Sequence, residues 1–346
     1  MHQVGSGCLD SSWRAAMARS ESRPRQQSDR QLMHDAIFIT ADTRCRRSGE
    51  VLVLSFEQTR PMVTPDVLEA LVRALEAAEH AGSALVITTA GRHFAFGAWL
   101  DGLDAAAQGR PQELDAELHR YQQTMLRLRH AAIPTIAAVR GVAISGGCEL
   151  LMHCTRVVAQ ADSIIGQAEA SVGLIPAGGG VKEFARRAAS AAEPARFIAD
   201  AFTTLAAATV ARSAMQARQL GFLTPADVVT EDDPLPAAIE VGRNLQSAGH
   251  VPPARNPTFA VAGTRVEQEL CASQAKLLAD GQLTEHQFVV NCRLAKVLCG
   301  AEGPAELRTE ADLFALERSQ FLALAQMPLT QARIAHLRST GQVLVN

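Results

Sequence analysis

The sequence predicts an α/β protein, with strands and helices alternating through the first half and amphipathic helices continuing to the end. Three observations support this. The runs Val51–Phe56 (VLVLSF), Ala84–Thr89 (ALVITT) and Thr135–Val139 have the length and composition of buried strands. Apolar residues at helical spacing separate them. Beyond about residue 190, strand-like runs disappear and Ala-rich helices follow one another.

Taken in order, residues 1–34 are polar and without apolar periodicity, and read as a disordered leader. A mitochondrial presequence is the alternative, because the segment is Arg-rich and acid-poor; it has no apolar core of a secretory signal. After the first strand, Thr64-Pro65 starts a helix, with Thr as N-cap and Pro at the first helical position. Val67, Leu68, Leu71 and Leu75 give it an apolar face, and Gly82 is a natural stop. A further helix is expected over roughly 112–130, and a strand over 156–161. The α/β core is thus placed at 35–190 and a helical region at 191–346. Helices at 266–279 and 285–298 belong to the latter, the second with Phe288, Val289, Cys292, Leu294 and Val297 on its apolar side. Pro/Gly clusters at 250–257 and 300–304 punctuate the region.

Bulk properties narrow the function. A net charge of −3 gives no electrostatic pull toward nucleic acid or an anionic membrane. No apolar run approaches the ~20 residues of a membrane span. The seven cysteines form no CxxC pair, and the ten histidines make no ligand pattern, so reduced thiols, a cytoplasmic location and no metal are expected.

Four short segments can carry chemistry. Residues 91–100 (GRHFAFGAWL) leave a strand through Gly97-Ala98, where Gly permits a tight turn that presents the next N–H outwards. Residues 141–149 (GVAISGGCE) join a strand to a helix through small residues, and free N–H groups at such a start suit a developing oxyanion. Glu149 lies in that helix's first turn. Gly166-Gln167-Ala168-Glu169 follows after one strand, and 172–180 (VGLIPAGGG) turns into the next helix. Two carboxylates around one water can divide general-base and general-acid roles. Each feature alone also occurs as an ordinary turn or a surface Glu; their order and spacing carry the signal.

The run FAFGAW followed by ISGGCELLMHCTRVVAQADSIIGQAEASVGLIPAGGG resembles the signature of the crotonase (enoyl-CoA hydratase/isomerase) family, over roughly residues 48–220. The resemblance implies the crotonase fold, a spiral of ββα turns with helices that help build trimers, here with an extended helical C-terminal region. It implies that the N–H groups of Ala98 and Gly146 hold a thioester oxygen. It also implies that Glu149 and Glu169 are the two catalytic glutamates of a hydratase, and that Phe96, Gly97, Trp99, Leu100 and Pro176 contact an acyl-CoA substrate. Ser145 stands in place of the first Gly of the family's triplet, Ala168 in place of Pro, and Trp99 where many members have Asp, which puts the accepted chain length in doubt.

The remainder, from ARNPTFAVAG to TQARIAHLRSTGQ, is similar to the hydratase-like C-terminal part of bacterial fused 3-hydroxyacyl-CoA dehydrogenases. A dinucleotide-binding domain precedes the hydratase part in that group. Gly5-Ser6-Gly7 lacks the preceding strand and the third Gly of a dinucleotide fingerprint, so no bound NAD is expected. The expectation is an enoyl-CoA hydratase that needs no cofactor beyond its substrate's coenzyme A, assembled as a homo-oligomer. An enoyl-CoA isomerase, or a crotonase-like subunit of a separate 3-hydroxyacyl-CoA dehydrogenase, is the alternative. A more distant one is a serine hydrolase using Ser145 in Ala143-Ile144-Ser145-Gly146-Gly147, with His250, His286 or His336 as base.

Overall fold

The computed structural model describes residues 36–98, 101–301 and 307–346. The proposed leader, Trp99, Leu100 and most of the 300–304 punctuation lie outside the described residues. Among the described residues, seven strands form the larger sheet: β1 (Ala36–Ile39), β2 (Thr43–Ser48), β3 (Val51–Phe56), β4 (Ala84–Thr89), β5 (Thr135–Val139), β7 (Arg156–Gln160) and β10 (Val228–Thr230). β1, β2 and β3 pair antiparallel, and every pairing from β3 to β10 is parallel. All residues of β3, β4 and β5 are buried, as expected of parallel strands covered on both faces.

Helices supply those covers. On one face lies α1 (Pro65–His80), which begins as the sequence predicts: the Thr64 side chain accepts from Val67 N–H at 3.2 Å, and Gly82 takes φ +59° just past its end. α2 (Gly102–Ala107) packs on α3 (Pro111–Arg129), which in turn packs on α1. α4 (Gly146–Met152), α5 (Gly180–Ala188), α6 (Pro194–Ala206) and α7 (Ala214–Gln219) follow in chain order. The opposite face is closed by α8 (Pro234–Ser247), whose Ala238 packs with Val53, Val86, Ile136 and Val158.

A smaller sheet positions the chemistry. It consists of β6 (Val142–Ile144), β8 (Ile164–Gly166) and β9 (Val210–Ala211). In the consecutive units β5-β6-α4 and β7-β8-α5, the chain lays one strand on the larger sheet and the next on the smaller, then turns into a helix. This is the spiral of ββα turns that the resemblance implied. Because β6 and β8 are parallel neighbours, with Ile144 beside Gly166, the turns leaving them emerge side by side.

The expectation that strands disappear beyond residue 190 needs correction. β9 extends the smaller sheet, β10 completes the larger one, and β11 (Phe259–Ala260) pairs with β12 (Leu307–Arg308). These strands have two or three residues each, too few for a period-2 pattern to register. Helices nevertheless dominate the rest: α9 (Gly263–Ala279), α10 (Glu285–Leu298), α11 (Glu310–Ala325) and α12 (Pro328–Thr340). In α10 the buried face is set by Val290, Leu294, Val297 and Leu298, whereas Phe288, Val289 and Cys292 are only half-buried.

One buried ionic cluster ties these late helices to the core. Lys182 Nζ on α5 is fully buried, 2.7 Å from Glu183 and 2.7 Å from Glu310 at the start of α11. Arg129 approaches both carboxylates, at 3.6 and 3.1 Å. Burial alone would raise Glu183, but Lys182, Arg129 and Arg186 outweigh it and hold its carboxyl well below the usual range. Removing one member strands the others in a dry interior. Lys182→Met is therefore expected to lower unfolding stability by about 3 kcal/mol, read as a fall in denaturant midpoint at unchanged slope.

Candidate active site

Segments distant in sequence line up beside β6. Ala95 accepts from Ile144 N–H at 3.0 Å and donates to Val142, which carries residues 94–98 along the edge of the smaller sheet. Gly97, at φ +143°, then turns the chain in a conformation that side-chain-bearing residues rarely adopt. Ala98 is thereby laid against Gly146. A Cβ on Gly146 would stand 2.7 Å from Ala98 N, so the two backbones approach as only a glycine allows. Gly146 is the first residue of α4, and its N–H has no acceptor one helical turn back.

Ser145, which precedes it, takes φ +50° and ψ −123°, strained for a residue with a side chain. Its N–H donates to Gly166 at 2.8 Å, fastening the β6 turn to the β8 turn. Its side chain lines the cavity beside Glu169, whose charged form it favours.

The two glutamates meet because each follows the end of one of two adjacent parallel strands. Glu149 lies in the first turn of α4. Glu169 opens a short 3-10 turn, Glu169–Val172, after β8. Both line one cavity of about 220 Å³ with Met62, Phe96, Gly97, Ala98, Ser145 and Gly146. Glu149 is buried, and its Oε1 accepts from Gly178 N–H at 2.7 Å and Gly180 N–H at 3.1 Å. Glu169 is half-buried and faces the cavity. With the Gln167 amide turned so that its nitrogen meets Glu169, it donates to both carboxylate oxygens, at 3.1 and 3.2 Å.

Burial pushes the Glu149 carboxyl up to about 7, against the pull of the two glycine amides and Tyr121. Glu169 is pushed up to about 8, by burial first and then by the facing charge of Glu149. Two carboxyls so coupled titrate as a pair, and near neutral pH they hold about one proton between them. His153, buried beneath, donates from Nδ1 to the Glu149 carbonyl at 2.7 Å. Burial pulls it down to about 3, so it stays neutral.

The geometry brings Phe96, Gly97, Ala98, Gly146, Glu149 and Glu169 around one space. Pro176 is not among the lining residues; it is buried and packs beneath Gly180. Trp99 and Leu100 lie outside the described residues. No histidine lines the cavity among the described residues, so the Ser–His pair of a hydrolase is not assembled around Ser145. His286 instead contacts Thr330 at 3.0 Å, away from Ser145.

Sequence reasoning missed several participants. Tyr121 of α3 is buried against the pair, with its hydroxyl 2.8 Å from the Gly146 carbonyl and also within reach of Glu149. It is the chain's only tyrosine, which was the one available signal. Phe321 of α11 and Leu337 of α12 wall the cavity from the far end of the chain.

Comparison with known proteins agrees with this architecture. The family described as "Enoyl-CoA hydratase/isomerase" matches residues 48–250. A Bacillus subtilis (strain 168) protein named "Probable 3-hydroxyacyl-CoA dehydrogenase" is 29% identical over 343 residues, which is 95% of this chain and 43% of that protein. The chain thus spans less than half of that relative's length. The "2,3-dehydroadipyl-CoA hydratase" of Escherichia coli (strain K12) is 31% identical over 242 residues, 68% of this chain and 86% of that protein. Among solved structures, an enoyl-CoA hydratase from Bacillus halodurans shares the fold at a TM-score of 0.56 and 16% identity, over 86% of this chain and 100% of that one. The fold is thus the crotonase fold, and with the family match covering more than half of its length, the chain belongs to the enoyl-CoA hydratase/isomerase family.

Proposed function

We propose that this protein is an enoyl-CoA hydratase that adds water across a trans-2-enoyl-CoA to give the 3-hydroxyacyl-CoA. The observation that carries the reading is the pair Glu149 and Glu169, two carboxyls lining one cavity beside the N–H groups of Ala98 and Gly146. The thioester oxygen is held by those two N–H groups, which stabilise the enolate-like charge as water adds at C3; one such donor is typically worth ~3 kcal/mol of barrier. Glu149, the more acidic of the two, takes a proton from the water. Glu169 gives its proton to C2. The reaction so drawn uses no group beyond the substrate's own coenzyme A.

A downstream partner follows from the product's chemistry. A 3-hydroxyacyl-CoA is oxidised by a 3-hydroxyacyl-CoA dehydrogenase, and the Bacillus subtilis relative carries that name over a longer chain. In this reading such an enzyme consumes the product, and the late helices serve self-association in the cytoplasm. No described helix is long and apolar enough to cross a membrane.

The test is to supply crotonyl-CoA and longer enoyl-CoAs and to follow loss of the conjugated thioester absorbance. Hydration is expected, with a bell-shaped kcat/KM. The acid limb falls below about 7 as the pair takes up its second proton, and the alkaline limb falls above about 8 as the pair loses its last. A profile flat from about pH 6 to about pH 9 would sink the shared-proton account.

A further inference from the structure

The turn joining Gly178 to Lys182 is gripped from two sides. On the cavity side, the N–H groups of Gly178 and Gly180 donate to Glu149 Oε1. Behind it, Lys182 N–H donates to Oε1 of Glu317 at 2.6 Å. Glu317 belongs to α11, beyond the 48–250 family match, and is fully buried. Its Oε2 is buried and has no hydrogen-bond partner among the described residues. A buried carboxyl with an orphan oxygen costs stability that an apolar side chain there would not. Lys182 Nζ does not relieve it, being engaged by Glu183 and Glu310. The bond that Glu317 does make is to the backbone that orients Glu149.

We propose that Glu317 is a positioning residue for Glu149, acting through the Gly178–Lys182 turn, so that α11 sets the geometry of the general base. This rests on the hydratase reading above. Oε1 of Glu317 pins the amide at 182, which fixes the direction of the amides at 178 and 180, and these aim the Glu149 carboxylate at the cavity. Burial, then the charge of Glu149, raises the Glu317 carboxyl well above its usual range, while the Lys182 amide and ammonium pull the other way. The other titratable groups facing Glu149 are Tyr121 from α3, Cys148 and His153 from α4, Glu169 from the 3-10 turn and Lys182 from α5.

Two variants of similar volume separate this role from mere packing. Glu317→Gln keeps a carbonyl acceptor for the Lys182 amide, and Glu317→Met removes it without opening a cavity. The Met variant is expected to lower kcat for crotonyl-CoA by about ten- to a hundredfold with KM nearly unchanged, the scale of a misplaced catalytic group. The Gln variant should return to within about threefold of the parent. Independently of turnover, the 13C-carboxyl resonance of Glu149, assigned by its loss in Glu149→Gln, should titrate at higher pH in the Met variant, because the two amides that favour its charged form are less well aimed. If the Met variant does not fold, Glu317→Asp, which draws the acceptor back by one methylene, should show the same upward move. Parental kcat and an unmoved titration in the Met variant, or a Gln variant as impaired as the Met variant, overturns the proposal. A parent that hydrates no enoyl-CoA, while the Glu149 titration still moves, sinks the hydratase reading and leaves the positioning role standing.

Discussion

Glu149→Gln and Glu169→Gln are each expected to slow hydration of crotonyl-CoA by about two to four orders of magnitude, the usual contribution of a positioned acid or base. Each change is nearly isosteric. Glutamine keeps an oxygen for the Gly178 and Gly180 amides at position 149, and the side-chain volume at position 169. The loss is therefore one of proton transfer rather than of architecture. Stability should move the other way. Both carboxyls have folded-state pKa values raised above those of an unfolded chain. Their favourable contribution is present at low pH and is lost as pH rises through about 7 and about 8. The Gln variants should accordingly melt higher than the parent at alkaline pH, with the difference shrinking toward about pH 4, where the carboxyls are protonated folded or unfolded. Parental rates in both variants would falsify the hydratase assignment, and loss in only one favours isomerase chemistry.

Gly178→Ala is expected to slow turnover about a hundredfold with a single methyl group. A Cβ there overlaps the Tyr121 ring outright and comes to 2.5 Å of Glu149 Oε2. Neither neighbour has room to yield. Tyr121 is buried with its hydroxyl committed to Gly146, and Glu149 is held by the amides of this same turn. Relaxation must therefore move the base, the tyrosine or the turn, and displacement by about 1 Å costs on the order of a hundredfold. Overpacking should also cost about 1–3 kcal/mol of stability. Crotonyl-CoA turnover at the parental rate in a folded Gly178→Ala protein would show that this turn does not set the site.

The legible parts of the sequence were those with long, one-sided patterns. β3, β4 and β5 were read to the residue because each holds four consecutive apolar residues, a pattern that admits few other structures between turn-forming flanks. α1 was legible through its Thr-Pro start. β6, β8 and β10, at three residues each, carry no period, yet the register between β6 and β8 is what brings Glu149 to Glu169. The pairing of those glutamates was therefore readable only through the family resemblance. Tyr121, Phe321, Leu337 and Glu317 were invisible for a related reason. Each sits on a helix whose own pattern says only that it is buried, and the surface it is buried against is a tertiary fact. Gln167 stood inside a quoted motif, but nothing local indicated that its amide would face Glu169.

The solitary tyrosine has a practical consequence. With one such residue in 346, biosynthetic fluorotyrosine places a single 19F nucleus in the whole molecule, and the fold delivers it to the wall between the Gly146 carbonyl and Glu149. The chain thus carries its own spectroscopic window onto the Glu149–Glu169 pair, with no cysteine to engineer and no background to subtract.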